Sequence, residues 1–164
     1  MAVRDGATVI AVVRDHQIAR AQELGADHVF SADRPDLASA IRDVAPDGVH
    51  RIAEVDLAAH IDLDAEVLAV GGVISSYFSS VDRPEIPYWK LGFADTTLRL
   101  LGSDDFTPSV KAQAAAALTA ALVDQSLSST IATRLPLTEI ASAHELVEHG
   151  SSNGRVIVTL NHDA

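Results

Sequence analysis

The sequence contains no cysteine, which excludes a disulfide framework, a thiol nucleophile and a thiolate zinc site. Aromatic residues are scarce, one Trp, two Tyr and four Phe among 164 residues, so the core must be built from Ala, Val, Leu and Ile. That composition suits helices packed on a sheet. Basic residues are outnumbered, 12 Lys and Arg against 23 Asp and Glu, and the formal net charge of -11 repels phosphate backbones and anionic lipid heads. Nucleic acid and membrane surfaces are therefore poor partners. Long apolar runs are missing too: the stretch from Ala112 to Val123 is interrupted by Gln113 and Thr119 and falls short of the roughly 20 residues a bilayer span needs. Around Arg4, Asp5 and Gly6 there is no apolar run or small-residue cleavage pattern of the signal-peptide kind. These absences predict a soluble cytoplasmic protein. With 48% hydrophobic and 21% charged residues, the chain has the length and composition of one folded unit.

What is present alternates. Ala7 to Val13 is a continuous apolar run rich in β-branched residues, the pattern of a strand covered on both faces of a parallel sheet. Asp15 can cap a following helix in which Ile18, Ala21 and Leu24 share a face, and Gly25 can stop it. The pattern repeats with a strand at His28 to Phe30, a helix from Pro35 to Ala45 closed by Pro46, and a strand from Val49 to Val55. A helix over Ala58 to Leu68, a Gly71-Gly72 turn and a strand from Val73 to Phe78 come next. Beyond the loop around Pro84 and Pro87, Thr97 to Leu101 reads as a strand and Pro108 to Asp124 as an Ala-rich helix opened by proline. Strands alternating with helices predict a doubly wound parallel α/β sheet. After Gln125 the pattern changes to an extended Ile131 to Leu135, an amphipathic helix Leu137 to His149, a Ser-Ser-Asn-Gly turn and a terminal strand Gly154 to Leu160.

Several ordered segments together resemble the C-terminal portion of the medium-chain dehydrogenase/reductase superfamily, in particular its zinc-independent NADPH:quinone oxidoreductase branch. They are Gly6-Ala7-Thr8-Val9-Ile10-Ala11, Glu23-Leu24-Gly25-Ala26-Asp27-His28-Val29, Glu54-Val55-Asp56-Leu57-Ala58 with Ile61-Asp62-Leu63-Asp64, and Val67-Leu68-Ala69-Val70-Gly71-Gly72-Val73-Ile74. Further on stand Leu135-Pro136-Leu137, Ile140-Ala141, Ala143-His144-Glu145-Leu146-Val147-Glu148 and Gly154-Arg155-Val156-Ile157-Val158.

The resemblance implies a Rossmann-like fold in which residues 1–128 form an incomplete dinucleotide-binding domain. Residues 129–164 would form a segment that packs, in such enzymes, onto a separate catalytic domain. It also implies that Met1 to Val3 match the last turn of the first Rossmann helix, so the catalytic domain, the first strand and its glycine-rich turn lie outside the chain. No G-x-G-x-x-G occurs, although that turn is what holds a pyrophosphate. In the strand order 3-2-1-4-5-6 the absent strand is central, leaving the strands at Ala7 to Val13 and Val49 to Val55 without their shared neighbour. Four ways of filling that slot follow: direct pairing of the two strands, insertion of the terminal strand, a second chain, or a preceding segment of a longer protein. Direct pairing or a missing preceding partner is the expectation.

The candidate cofactor residues follow from the same frame. Arg14 follows the strand that delivers the residue reading the adenosine ribose, where a base suits the 2′-phosphate of NADPH and an acid suits NAD. Val12 stands in the acid's place, Gln17 where such enzymes usually carry a Lys, and Ala32 where an aromatic is common. The plain alternative for Arg14 is a solvated surface arginine. Val55, Asp56 and Leu57 after one strand, and Ser76, Tyr77 and Phe78 after another, occupy the strand ends where ligands bind. The alternative makes Val55 and Phe78 core residues and Ser76 a turn satisfier.

No catalytic residue is assigned, because Tyr88 and Lys90 are two apart and no Ser-His-Asp arrangement stands out. No metal site is assigned either: His144 and Glu148 share a helix face but lack further ligands. The resemblance implies quinone or enone substrates, hydride transfer governed by positioning, and a homodimer paired edge to edge at Thr97 to Leu101. Asp95 and Arg99 would instead protect that edge. Two other readings stay open: a non-catalytic remnant serving as a dimerisation or weak nucleotide-binding module, and an unrelated flavodoxin-like binding domain.

Overall fold

A computed structural model of the chain describes residues 1–102, 104, 106–150 and 154–160. Two compact units divide within one helix: the first covers Ala2–Lys111, and the second runs from Ala112 onward.

The first unit alternates strands and helices: β1 (Ile10–Val13), α1 (Ile18–Glu23), β2 (His28–Ser31), α2 (Leu37–Val44), β3 (Val49–Glu54), α3 (Leu57–Val67), β4 (Leu68–Ser76), α4 (Tyr88–Phe93) and β5 (Thr97–Leu100). Every strand pair is parallel, and β1 pairs with β2 while β3, β4 and β5 form a separate sheet in that order. A Rossmann sheet of order 3-2-1-4-5-6 that lacks strand 1 leaves one pair and one triple, which is the arrangement found. The expected direct pairing of β1 with β3 does not occur among the described residues. Direct pairing of β1 with β3 would have to move two sheets that both pack against one helix.

That helix is α2. Its buried Leu37, Ala40 and Ile41 follow helical spacing, and Leu37 and Ile41 gather Ile10 of β1 and Phe30 of β2 with Val49 and Ile52 of β3. A second cluster joins Leu57, Ile61 and Ala65 of α3 to Leu68 and Ile74 of β4 and Leu91 of α4. Full burial of such side chains contributes about 1.5–3 kcal/mol each. The guanidinium of Arg42 on α2 donates to the carbonyl oxygens of Glu66 (3.0 and 2.9 Å), Leu68 (3.1 Å) and Pro46 (3.3 Å). It thereby satisfies carbonyls that the C-terminal end of α3 leaves unpaired.

Several boundaries differ from expectation. β1 starts at Ile10 instead of Ala7, since Val9 directs its N–H to the Asp27 carboxylate at 2.7 Å instead of to a strand. A 3-10 turn, Asp15–Gln17, precedes α1, and the Asp15 side chain makes no cap. Gly25 does close α1, at φ 88°. Gly71-Gly72 is not a turn before a strand. It is a bulge inside β4, where Val49 faces Leu68 but Arg51 faces Val73, and Gly71 supplies φ 74°. The segment after Pro87, expected as loop, forms α4.

The second unit holds most of α5 (Pro108–Val123), then β6 (Ile131–Pro136), α6 (Ile140–Glu148) and β7 (Arg155–Thr159). β6 and β7 pair in parallel, so the terminal strand does not fill the central slot. Of the expected Ser-Ser-Asn-Gly turn, residues 151–153 lie outside the described residues. Among the described residues no helix is long and apolar enough to cross a membrane.

Candidate functional site at the strand ends

Parallel strands in doubly wound sheets deliver ligand-facing residues at their C-terminal ends. Here the ends of β3 and β4 are tied into one hydrogen-bonded platform. Ser76, buried, donates its hydroxyl to the Phe78 carbonyl at 3.0 Å, and the Leu57 N–H donates to the same carbonyl at 3.1 Å. The Ser80 N–H donates to Asp56 Oδ1 at 2.8 Å, and this bond is the main reason the Asp56 carboxyl is held below its ordinary range. The Leu101 N–H donates to the Ser76 carbonyl at 2.8 Å, linking the end of β5.

Six of the expected residues therefore come together, but in different roles. Val55, Tyr77 and Phe78 are exposed by 52, 65 and 55% and offer apolar surface at the platform, so the core alternative does not describe Val55 or Phe78. Leu57 is a core residue, packed with Ile61 and Ile74, and it reaches the platform only through its backbone N–H. Ser76 does satisfy a turn, as its alternative reading held.

Arg14 and Gln17 lie at the end of β1, in the other sheet, joined by a bond from the Gln17 N–H to the Arg14 carbonyl at 2.8 Å. Both are exposed, and among the described residues the Arg14 guanidinium has no ion pair or side-chain hydrogen bond. Arg34, beyond β2, differs: it is locked to Asp36 at 2.7 and 2.9 Å and lies 5.7 Å from the Phe30 ring centroid.

Beside the platform lies a group that local sequence patterns did not single out. Glu54, buried at the last position of β3, accepts hydrogen bonds from the Asp56 N–H and from His60 Nδ1, the latter at 2.9 Å. Asp64 on α3 is 4% exposed, and its Oδ2 is buried without a hydrogen-bond partner. Burial first, then the Glu54 charge and a hydrogen bond to Glu54, push the Asp64 carboxyl up to about 7. A proton held on Asp64 lets its carboxyl stay buried beside the Glu54 charge. The available signal was an acid ending an otherwise strand-like run and an Asp at Ile61 plus three, on the face that α3 buries.

The chain matches the model of a protein family described as zinc-binding dehydrogenase over residues 24–158. It belongs to that family. No curated protein matches the chain. Solved structures similar to it include an NAD-dependent alcohol dehydrogenase, at 21% identity and a TM-score of 0.81 over 98% of this chain and 46% of that one. A mycobacterial quinone oxidoreductase is 24% identical with a TM-score of 0.81, over 94% of this chain and 50% of that one. A mycobacterial protein solved with NADPH is 23% identical with a TM-score of 0.79, over 96% of this chain and 50% of that one. At these identities the likeness establishes the fold, and the chain spans about half the length of those structures.

The family's description raises zinc, and the residues here do not fit it. Cysteine is absent, and among the described residues no three His, Asp or Glu side chains are placed to hold a metal ion. His144 and Glu148 stand exposed on α6. A dinucleotide fits in part: strand-end surface and an unengaged arginine are present, while a glycine-rich pyrophosphate turn is not in the sequence.

Proposed function

We propose that the chain is the cofactor-binding portion of an NADPH-dependent quinone or enone oxidoreductase of the zinc-independent kind, working in the cytoplasm. It is inactive until a catalytic domain and a glycine-rich turn complete the cleft. The observation that carries this reading is the platform at the ends of β3 and β4, with exposed Val55, Tyr77 and Phe78 around bonded Asp56 and Ser76. When bound, NADPH supplies the hydride. The chain's own part is to exclude water with the faces of Val55, Tyr77 and Phe78 and to keep the platform rigid through the Asp56–Ser80 and Ser76–Phe78 bonds. Arg14, with Gln17 beside it, offers an exposed cation to a 2′-phosphate dianion.

Titration of the purified chain with NADPH and NADH, followed by nicotinamide fluorescence, tests the reading. NADPH binding at least tenfold tighter, about 1.4 kcal/mol, is expected. Arg14→Ala is expected to remove that preference while leaving NADH binding unchanged. A folded chain that binds neither nucleotide refutes a working cofactor site.

A second reading, a non-catalytic module that forms homodimers, is supported by β5. Its outer edge has no partner among the described residues, and Leu100 is 73% exposed there.

A further inference from the structure

We propose that Glu54, His60 and Asp64 form a proton-operated latch beneath the strand-end platform: with a proton on Asp64 the latch holds the Asp56 end of the platform, and without it that end is released. The latch is a property of the ligand-free chain. Its consequence for nucleotide binding rests on the cofactor reading above.

Two elements place its parts. Glu54 is the last residue of β3, and α3 starts at Leu57, so His60 and Asp64, four apart on one helix face, come back over it. Glu54 and Asp64 are both buried, and Glu54 Oε1 accepts from the Asp56 N–H and from His60 Nδ1 at 2.9 Å. Asp64 Oδ2 is buried with no hydrogen-bond partner. Ionised, Asp64 would leave an unpaired acceptor beside a second carboxylate, away from water. Protonated, it is a donor with Glu54 as the acceptor at hand.

Few other charges bear on the group. Burial, the Glu54 charge and the Glu54 hydrogen bond keep the proton on Asp64, and the His60 charge opposes them. β4 carries no titratable residue from Leu68 to Ser76. Lys90 of α4 is engaged by Glu66 at 3.3 Å, and Arg42 of α2 by backbone carbonyls. His50 and Arg51 of β3, Asp62 of α3 and Arg99 of β5 are exposed. With the Asp64 carboxyl pushed up to about 7, its proton exchanges in the neutral range.

The latch reaches the platform through Asp56. Glu54 holds the Asp56 N–H, and Asp56 Oδ1 accepts from the Ser80 N–H at 2.8 Å, closing the loop that carries Tyr77 and Phe78. The Asp56 carboxyl is held low first by that Ser80 bond and also by the His60 charge, so the histidine acts on both acids. When the proton leaves Asp64, Glu54 loses a donor and faces a like charge in a water-poor site. The two carboxylates relieve this by parting, and the shift passes through Asp56 to Ser80. An inert buried pair would instead let Asp64 titrate with nothing moved at Ser80.

Nuclear magnetic resonance on the full chain without nucleotide, from pH 5.5 to 8.5, follows the Asp64 carboxyl carbon and the Ser80 amide proton. Ser80 is expected to move upfield as its bond to Asp56 lengthens, with the same midpoint as Asp64. Asp64→Asn, of equal size and unable to ionise, should leave Ser80 flat, while His60→Gln, which keeps a donor to Glu54, should keep the inflection. A flat Ser80 in the wild type overturns the proposal, and so does a midpoint that differs from that of Asp64. An inflection that survives Asp64→Asn or vanishes in His60→Gln also overturns it, giving the response to the histidine. The wild-type titration decides alone if a variant fails to fold. Where NADPH binds, its affinity should fall roughly tenfold from pH 7 to 8.5, above the range in which a phosphate titrates, and stay level in Asp64→Asn. A chain that binds no nucleotide refutes the cofactor reading and leaves the Ser80 result standing, whereas a flat Ser80 in a chain that binds NADPH refutes only the latch.

Discussion

Replacing Asp64 by Asn tests the buried carboxyl pair through the pH dependence of stability. The Asp64 carboxyl has a pKa of about 7 in the folded chain against an ordinary 3.8, mainly through burial and then through the Glu54 charge. The folded state therefore holds this proton more tightly than the unfolded state does. Stability from it is fully present below 3.8, is lost as pH rises from 3.8 to about 7, and is absent above. The whole interval corresponds to roughly 4 kcal/mol at 1.36 kcal/mol per pH unit. The sequence isoelectric point near 4.8 confines equilibrium work to higher pH. Between pH 5.5 and 8.5 about half of that difference remains, on the order of 2 kcal/mol. Asn keeps a neutral hydrogen-bond donor beside Glu54 and cannot ionise. Urea unfolding at several pH values should therefore show the variant gaining on the order of 2 kcal/mol on the wild type from pH 5.5 to 8.5, at constant m-value. A difference that does not change with pH, or one that shrinks as pH rises, refutes the account of a proton held on buried Asp64.

Other outcomes follow from single contacts. Arg42→Ala removes the donors to Glu66, Leu68 and Pro46 and should cost about 1–3 kcal/mol in urea unfolding, with Arg42→Lys recovering only part. Gly48→Ala should cost more than about 2 kcal/mol: Gly48 has φ 89°, and an added Cβ would lie 2.6 Å from the Ala69 nitrogen. Thermal unfolding of that variant checks the claim, and an unchanged Tm counts against it. Leu100→Asp should abolish homodimers formed through β5, seen as a monomer in sedimentation, while leaving the Tm of the monomer within a few degrees.

Local pattern carried much of the fold. The alternation of strand-like and helix-like segments located β2, β3 and β5, and the segment from Pro35 to Ala45 closed by Pro46 located α2, whose Leu37, Ala40 and Ile41 bury one face. Pattern missed α4, a six-residue helix after Pro87 with only Leu91 buried, too short to display a period. It also misread Gly71-Gly72, since a bulge and a turn both require glycine and differ only in how the partner strand continues. At the site, strand-end position was enough to collect Val55, Asp56, Ser76, Tyr77 and Phe78. It could not separate Leu57 from them, because a core residue and a crevice residue alternate at the start of the same helix. The Glu54, His60 and Asp64 group depends on α3 lying over β3, a tertiary relation that no window of sequence contains.

Among the described residues the β1-β2 and β3-β4-β5 sheets are held in common by side chains and not by strand pairing, and this bears on where a cofactor could sit. Arg14 and Gln17 end the two-stranded sheet, while Asp56 and Ser76 end strands of the three-stranded one. A nucleotide spanning both must bridge the slot between β1 and β3, so its geometry depends on the α2 cluster that fixes Ile10 against Val49 and Ile52. A net backbone hydrogen bond contributes about 0.5–1.5 kcal/mol, whereas a fully buried Leu or Ile contributes about 1.5–3 kcal/mol. Leu37 and Ile41 can therefore hold the sheets in relation without the bonds that a central strand would add. The same reasoning makes Ile41→Ala a spacing variant as well as a stability variant. It loosens the hold on both sheets at once, so it should weaken NADPH binding and lower stability together, while Arg14→Ala weakens binding alone.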